Sequence, residues 1–417
     1  IVSDLYIKNE LDDNVIKCMW ELTTITTTAT PTQLTIAGYA YTVLSMIAKQ
    51  SPGILTPTRI SHLITTGLGS TSMILMRGAL LCLQTAPAYI NTPPNAIQTA
   101  SMTGKAKSNP LADYESPTEL QAHYTSAFAT LQDIIIGAIF DEMTDSSSME
   151  VATWSWFSLC ELAVHVLFHI HPQPDIAVGK MISHMYEGVV NTTNSTLNTN
   201  TNGSVTCILS RFLYVLGQAA LCTLVFTERF ANITKRTNEL LETNKSNTNT
   251  TNSANTTKKV SKIQSDDDME MEMGMSAARD ADHEKRFLQS TEYDITLNES
   301  NLLSKFHPFI AYIAANESGQ YTHNMLRHTS TLALCRYMSV SSMLSEQYLP
   351  LLFTILEKDE VSLAPTTTTT DTPNTPTNPT SIQSKHASQL RTTIMICLGD
   401  LAFRFPNALE PWTHRMY

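Results

Sequence analysis

His165, His169 and His171 are the residues of this chain whose type and spacing come nearest to a reactive centre. Residues four apart share one face of a helix, and neutral imidazoles are good zinc ligands, so the trio could hold a metal ion for hydrolysis. Two features weigh against it. His165 and His169 do not bracket a Glu as in a zincin helix, and His171 precedes Pro172 at the end of an apolar run. Histidines at such a terminus are equally explained by the helix dipole, which favours cations there. No metal site is assigned.

The other candidates are contacts rather than catalysts. Asp400 and Arg404 stand four apart. They form an intrahelical ion pair, take part in a ladder with Arg391 between stacked units, or meet a partner. Lys235, Arg236, Lys258, Lys259 and Lys262 make a loose basic cluster that either touches DNA phosphates or is a solvated flank of the acidic run after it. Trp412, beside Pro411 and near Phe405, is an exposed partner anchor or packs between adjacent units. Gly104-Lys105 and Gly179-Lys180 lack the first glycine and the following hydroxyl of a phosphate loop, and no nucleophile elbow or kinase motif occurs. The expectation is a chain that is not an enzyme, with no catalytic residue and no cofactor.

Composition narrows the classes further. The chain has 417 residues, 42% of them hydrophobic and 16% charged, which is apolar enough for a core and poorer in charge than usual. Asp266–Glu284 holds eight acids and Arg279, so it carries −7 and leaves −4 of the net −11 for everything else. That balance excludes coating of nucleic acid by bulk charge. The seven cysteines are odd in number, form no C-x-x-C and lie mostly in apolar runs, as buried free thiols in a reducing compartment would. No apolar run approaches a membrane span, so no membrane partner is expected. Ile1 in place of Met implies a fragment.

About one residue in seven is threonine, and much of it is clustered. Thr23–Thr32 is Thr-rich, Asn191–Thr206 and Thr243–Thr257 are almost wholly Asn, Thr and Ser, and Pro365–Thr380 is Thr, Pro and Asn. Such segments bury too little apolar area to offset their ordering entropy, so disordered inserts are expected. The sequons at Asn191, Asn194, Asn202 and Asn232 are chance matches within Asn/Thr-rich sequence. The resulting organisation is helical repeats over 1–190, an insert over 191–206, helices over 207–242 and an acidic linker over 243–300. Further repeats cover 301–358, an insert 359–387, and a last helix with the start of another repeat 388–417.

Between these tracts apolar residues recur at helical spacing. Ala37–Ala48, Thr71–Gln84, Leu120–Phe140, Thr153–His169, Leu209–Glu228, Ser304–Ala315, Arg327–Met338, Glu346–Glu357 and Arg391–Phe405 all do so. The helices also repeat. Aligning Arg327 with Arg391 sets Leu332 over Ile396, Leu334 over Leu398 and Met338 over Ala402, and Leu216-Gly217 echoes Leu398-Gly399. Discounting the insert, the period is close to that of HEAT hairpins, so the expected fold is an all-α HEAT-repeat α-solenoid interrupted by disordered inserts.

Three segments resemble a known family: ALCRYMSVSS at Ala333–Ser342, LPLLFTILEK at Leu349–Lys358 and CLGDLAFRFPNALEPW at Cys397–Trp412. Their order and wording are similar to the signature region of the condensin complex subunit 1 family, the non-SMC HEAT-repeat regulatory subunits of condensin. LSRFLYVLGQAALCTL at Leu209–Leu224, Lys235-Arg236 and the acidic DDDMEMEMG at Asp266–Gly274 extend the likeness upstream. The Asn/Thr/Pro tracts are departures from the family pattern. The resemblance implies a scaffold that binds a kleisin and approaches an SMC ATPase heterodimer. It also implies a second HEAT subunit met through the complex, weak or indirect contact with DNA, and mitotic chromosome condensation. It places the chain in the nucleus and on mitotic chromosomes, with a cytoplasmic pool. Two rivals remain: another HEAT adaptor (a condensin II-type subunit or a transport scaffold) and a metal-dependent hydrolase using His165 and His169.

Overall fold

A computed structural model of the chain describes residues 13–24, 29–88, 117–138, 146–196, 202–251, 282, 285–363 and 379–415. Proline and short polar side chains set where helices begin. Pro31, Pro57, Pro117, Pro174, Pro379 and Pro406 each occupy a first helical position, where the missing N–H costs nothing. Thr30 closes a capping box ahead of Pro31: its hydroxyl accepts from the Gln33 amide, and its own amide donates to Gln33 Oε1 at 2.8 Å. Asn301 and His323 cap later helices more simply, their side chains accepting from the Leu303 and Met325 amides.

The elements are α1 (Asp13–Leu22), α2 (Pro31–Gln50), α3 (Pro57–His62) continued by a π turn (Leu63–Leu68), α4 (Met73–Leu83), α5 (Pro117–Ile136), α6 (Ser146–Ile170), α7 (Pro174–Thr196) and α8 (Asn202–Thr251). After these come α9 (285–296), α10 (Leu302–Ala315), α11 (Asn324–Val340), α12 (Ser342–Leu363), α13 (Pro379–Arg404) and α14 (Pro406–Leu409), with a closing 3-10 turn (Glu410–Arg415). Among the described residues every regular element is helical.

The helices stack in two rows. In one, here the B row, α2, α4, α6, α8, α11 and α13 each pack on the next. The A row holds α1, α3, α5, α7, α10, α12 and α14 on the other side. Chain order alternates between rows, so successive A and B helices form antiparallel pairs and neighbours within a row run parallel. This is a HEAT-type α-solenoid. Buried aromatics with a polar end lock the pairs. The Trp156 indole donates to the Ile134 carbonyl at 2.6 Å, joining α6 to α5, and the Tyr337 hydroxyl donates to the Leu303 carbonyl at 3.2 Å, joining α11 to α10.

The sequence register survives in the packing. Leu216, Leu334 and Leu398 are equivalent by alignment and are all buried in the core. One residue on, a Cβ added to Gly217 would lie 2.7 Å from Ala333 Cα, so α8 and α11 approach to backbone contact only because the residue is glycine. The equivalent Cys335 carbonyl lies 3.9 Å from Cys397 Sγ, on the residue of α13 that matches Ala333. α8, α11 and α13 are therefore equivalent rods in successive units.

Helix runs further into the polar tracts than composition implies. α7 continues to Thr196, α8 starts at Asn202 and reaches Thr251, α12 reaches Leu363 and α13 starts at Pro379. Asn and Thr cost a helix only about 0.5 kcal/mol each, which a packed helix absorbs. The acidic linker expected to end near Ser300 gives way earlier, to α9. Leu288, Glu292 and Ile295 recur at i, i+4 and i+7 there, and Ile295 is buried. Residues 197–201, 252–281, 283–284 and 364–378 lie outside the described residues.

Among the described residues two helices, Ser148–Ile170 and Val205–Lys235, are long and apolar enough to cross a membrane, contrary to expectation. Both are central members of the B row, with neighbours on three sides covering most of their surface. Their apolar girth is that of buried core helices.

Candidate partner-binding surface

A seam of polar side chains crosses the B row. On α6 it holds Glu161, His165 and His169; on α8, Tyr214, Gln218, Cys222, Glu228 and Arg229; on α11, Arg336; on α13, Arg404. Steps of four place Glu161, His165 and His169 on one face of α6 and Tyr214, Gln218 and Cys222 on one face of α8. The Tyr214 hydroxyl donates to Glu161 Oε2 at 3.2 Å, and the Arg336 guanidinium lies 4.6 Å from the Tyr214 ring centroid. α6, α8 and α11 are tied together by these two contacts. Arg404 reaches past them to Glu228 at 2.9 Å, joining α13 to α8.

His169 is the most constrained member. Its Nε2 is 2.7 Å from the Ala86 carbonyl, and Arg229 NH1 is 3.0 Å from its Nδ1. A neutral ring with the proton on Nε2 satisfies both: Nε2–H donates to the carbonyl, and Nδ1 accepts from Arg229. Burial brings its pKa down to about 4, opposed by the Ala86 hydrogen bond and aided by the Arg229 charge. His165 is pushed down by burial as well, with Glu161 opposing and Arg336 and Arg229 assisting. Its Nδ1 stands 3.7 Å from Cys222 Sγ, a pairing that resembles a thiol nucleophile. Burial drives that thiol up to about 12, so it stays protonated and the pair does not form the thiolate that such chemistry needs.

The three histidines do not converge. His165 faces Cys222, His169 faces Ala86 and Arg229, and His171 lies tilted against Phe128, ring centroids 4.6 Å apart, while accepting from the Gln173 amide. Among the described residues no group of three His, Cys, Asp or Glu side chains could hold a metal ion. All seven cysteines are unpaired, and six are buried.

The remaining candidates fall in different places. Asp400 is exposed on α13, and Arg404 pairs with Glu228 rather than with Asp400, because the fold presents a carboxylate from α8, two units back in the row. Trp412 stacks on Phe353 of α12, ring centroids 5.3 Å apart and interplanar angle 15°. Lys235 is half-buried on α8; Arg236 follows it in the same helix, its side chain not described, and Lys258, Lys259 and Lys262 lie outside the described residues. Sequence reasoning missed Glu161, Tyr214, Glu228, Arg229 and Arg336. For Glu161 and Tyr214 the signal was present, a polar residue every four positions in otherwise apolar helices; Glu228, Arg229 and Arg336 carry no such spacing.

No family model matches the chain. Among curated proteins, Condensin-1 complex subunit CAP-D2 of Arabidopsis thaliana is 25% identical over 430 residues, covering 100% of this chain and 26% of its own length. Condensin complex subunit 1 of Xenopus laevis is 24% identical over 421 residues, with 100% and 26% covered. The Saccharomyces cerevisiae protein of the same name is 28% identical over 266 residues, 63% of this chain and 20% of the relative. The chain thus spans about a quarter of the length of the curated relatives that it matches throughout. From Ile1 to Tyr417 it is similar to a quarter-length segment of condensin complex subunit 1, the family whose signature its own residues resemble.

Proposed function

We propose that the chain serves as part of a non-catalytic regulatory scaffold of condensin, binding a kleisin and approaching the SMC ATPase pair to promote mitotic chromosome condensation. The observation that carries this reading is the whole-chain similarity to subunits named for that complex, in a chain folded as a two-row solenoid. A solenoid offers a long, continuous surface suited to extended partners. The solvent-reaching part of the polar seam, Glu161, Glu228, Arg229, Arg336 and Arg404, is the proposed contact surface, because it spans successive B-row helices and presents charge on an otherwise apolar stack.

On this reading Asp400 is a candidate partner contact, since it is exposed and its neighbour Arg404 is engaged elsewhere. Arg404 and Trp412 act first within the chain, holding α13 to α8 and the last turn to α12, and would meet a partner through their remaining exposed edges. Lys235 and Arg236, with Lys258, Lys259 and Lys262, are the proposed DNA-phosphate contacts, and the second HEAT subunit is reached only through the complex. The site of action is the nucleus and mitotic chromosomes. Purification on a tagged kleisin followed by mass spectrometry tests the proposal. Recovery of the polypeptide together with the SMC pair is expected; a preparation of kleisin and SMC subunits lacking it defeats the assignment.

A further inference from the structure

A cavity of about 240 Å³ opens between α5, the end of α6 and the start of α7. Phe128, Leu167, Ile176 and Met181 supply its apolar lining, and His171 and Lys180 add polar groups to it. Ile176 is 49% exposed although it is aliphatic. Lys180 is exposed and carries no ion pair among the described residues. A cavity of roughly 150 Å³ already holds a benzene molecule, so this one has room for more than one side chain. What fits it is an apolar side chain with a carboxylate beside it, and the sequence holds a run of that chemistry. Met269, Met271, Met273 and Met275 alternate with Glu270 and Glu272 behind Asp266, Asp267 and Asp268.

That run lies outside the described residues, between Thr251 at the end of α8 and Lys285 at the start of α9, and the start of α9 is close to the cavity. Phe287 lies against Phe230 of α8, ring centroids 5.7 Å apart. Next to Phe230, Arg229 is 3.0 Å from His169, which is two residues from His171 in the cavity lining. Met275 is ten residues from Lys285, a reach of up to about 33 Å. We infer that Met269–Met275 docks in this cavity of its own chain, its thioethers against Phe128 and Met181 and one of its glutamates paired with Lys180. Alternate side chains of an extended run face opposite ways, which sends the methionines to the lining and the glutamates to the rim. Thioethers adapt to irregular apolar space and pack well on phenyl rings. A short tether holds the run near the cavity at a roughly millimolar effective concentration. An external partner with an acidic, apolar segment has to displace it, so the contact is autoinhibitory. The inference uses only this chain's own residues and stands apart from the condensin reading.

A photo-crosslinker tests it in the uninterrupted polypeptide purified from its own cells. Benzophenone-bearing phenylalanine replaces Ile176, the sample is irradiated, and the adducts are mapped by mass spectrometry. Benzophenones insert readily into methionine side chains, so the expected adducts fall on Met269, Met271, Met273 or Met275 of the same molecule. Adducts confined to residues 89–116, to a differently isotope-labelled copy mixed with it or to another protein would each overturn the inference, as would no adduct. A charge reversal at an exposed position isolates the ion pair without disturbing the core. Lys180→Glu should lower the adduct yield about threefold, the size of one partly exposed ion pair. Adding Glu270→Lys and Glu272→Lys to that variant should restore the yield. An unchanged yield in Lys180→Glu, or no recovery in the triple variant, means that the run does not lie on Lys180 and the inference fails.

Discussion

Acidification should weaken the fold through His169, and by an amount that the structure sets. The ring is buried, its Nε2 2.7 Å from the Ala86 carbonyl and its Nδ1 3.0 Å from Arg229. Protonation would remove the Nδ1 acceptor and set a second cation against the guanidinium. The folded-state pKa is about 4, below the ordinary histidine value of 6.5 that an unfolded chain would show. Between those values the unfolded state binds more protons, so stability is fully present above about pH 6.5 and falls as pH drops towards 4. The full drop is roughly 3 kcal/mol, from 1.36 kcal/mol per pKa unit, and about 1.4 kcal/mol of it is spent by pH 5.5. His165, His171 and His307 are also held low by burial and push the same way, so the assay has to isolate His169. Urea unfolding followed by circular dichroism, at pH 8 and pH 5.5, in the wild type and His169→Gln, does this. Gln preserves a donor for Ala86 and cannot titrate. The wild type should lose about 1 kcal/mol more than the variant between the two pH values. Equal losses would refute a neutral, buried His169.

Three further outcomes follow from the packing. Glu292→Gln should lower stability by about 1 kcal/mol, because the Glu292 carboxylate accepts from the Ser341 hydroxyl at 2.7 Å and the Ser342 amide at 3.0 Å at the start of α12; an unchanged thermal midpoint would contradict that cap. Gly217→Leu should cost well over 1 kcal/mol or abolish folding, since its first carbon already meets Ala333; a soluble variant with wild-type melting would mean that α8 and α11 are not in backbone contact. A double-mutant cycle on Arg404 and Glu228 should return under about 1 kcal/mol, as expected for a partly exposed pair. A coupling of several kcal/mol would show that the pair is far better shielded from water than its exposure implies.

The helices were legible because their apolar spacing is strong. Arg391–Phe405 places Ile394, Leu398 and Leu401 on one side, and all three are buried. The repeat was legible in Leu216-Gly217 and Leu398-Gly399, where a geometric demand leaves a residue-level trace. Helix ends in the polar tracts were not, because low propensity is a weak local term and tertiary packing overrides it. Asn191–Thr196 continues a helix already anchored by buried Met185 and Val189. α9 was hidden behind the acidic run, although Leu288, Glu292 and Ile295 carry its period. Of the seam, the histidines were seen but their partners were not, since Arg404 meets a residue 176 positions away and nothing local announces which helix will face it. Trp412 illustrates the same limit: its type fitted either an exposed anchor or packing between adjacent units, and only the fold shows that Phe353 is what it stacks on.

Rapid, induced degradation of the polypeptide in its own cells before mitosis, with chromosome volume measured at metaphase, tests the condensin account most directly. The account predicts swollen, poorly compacted chromosomes while the SMC pair remains present. Normal compaction after complete removal would contradict it.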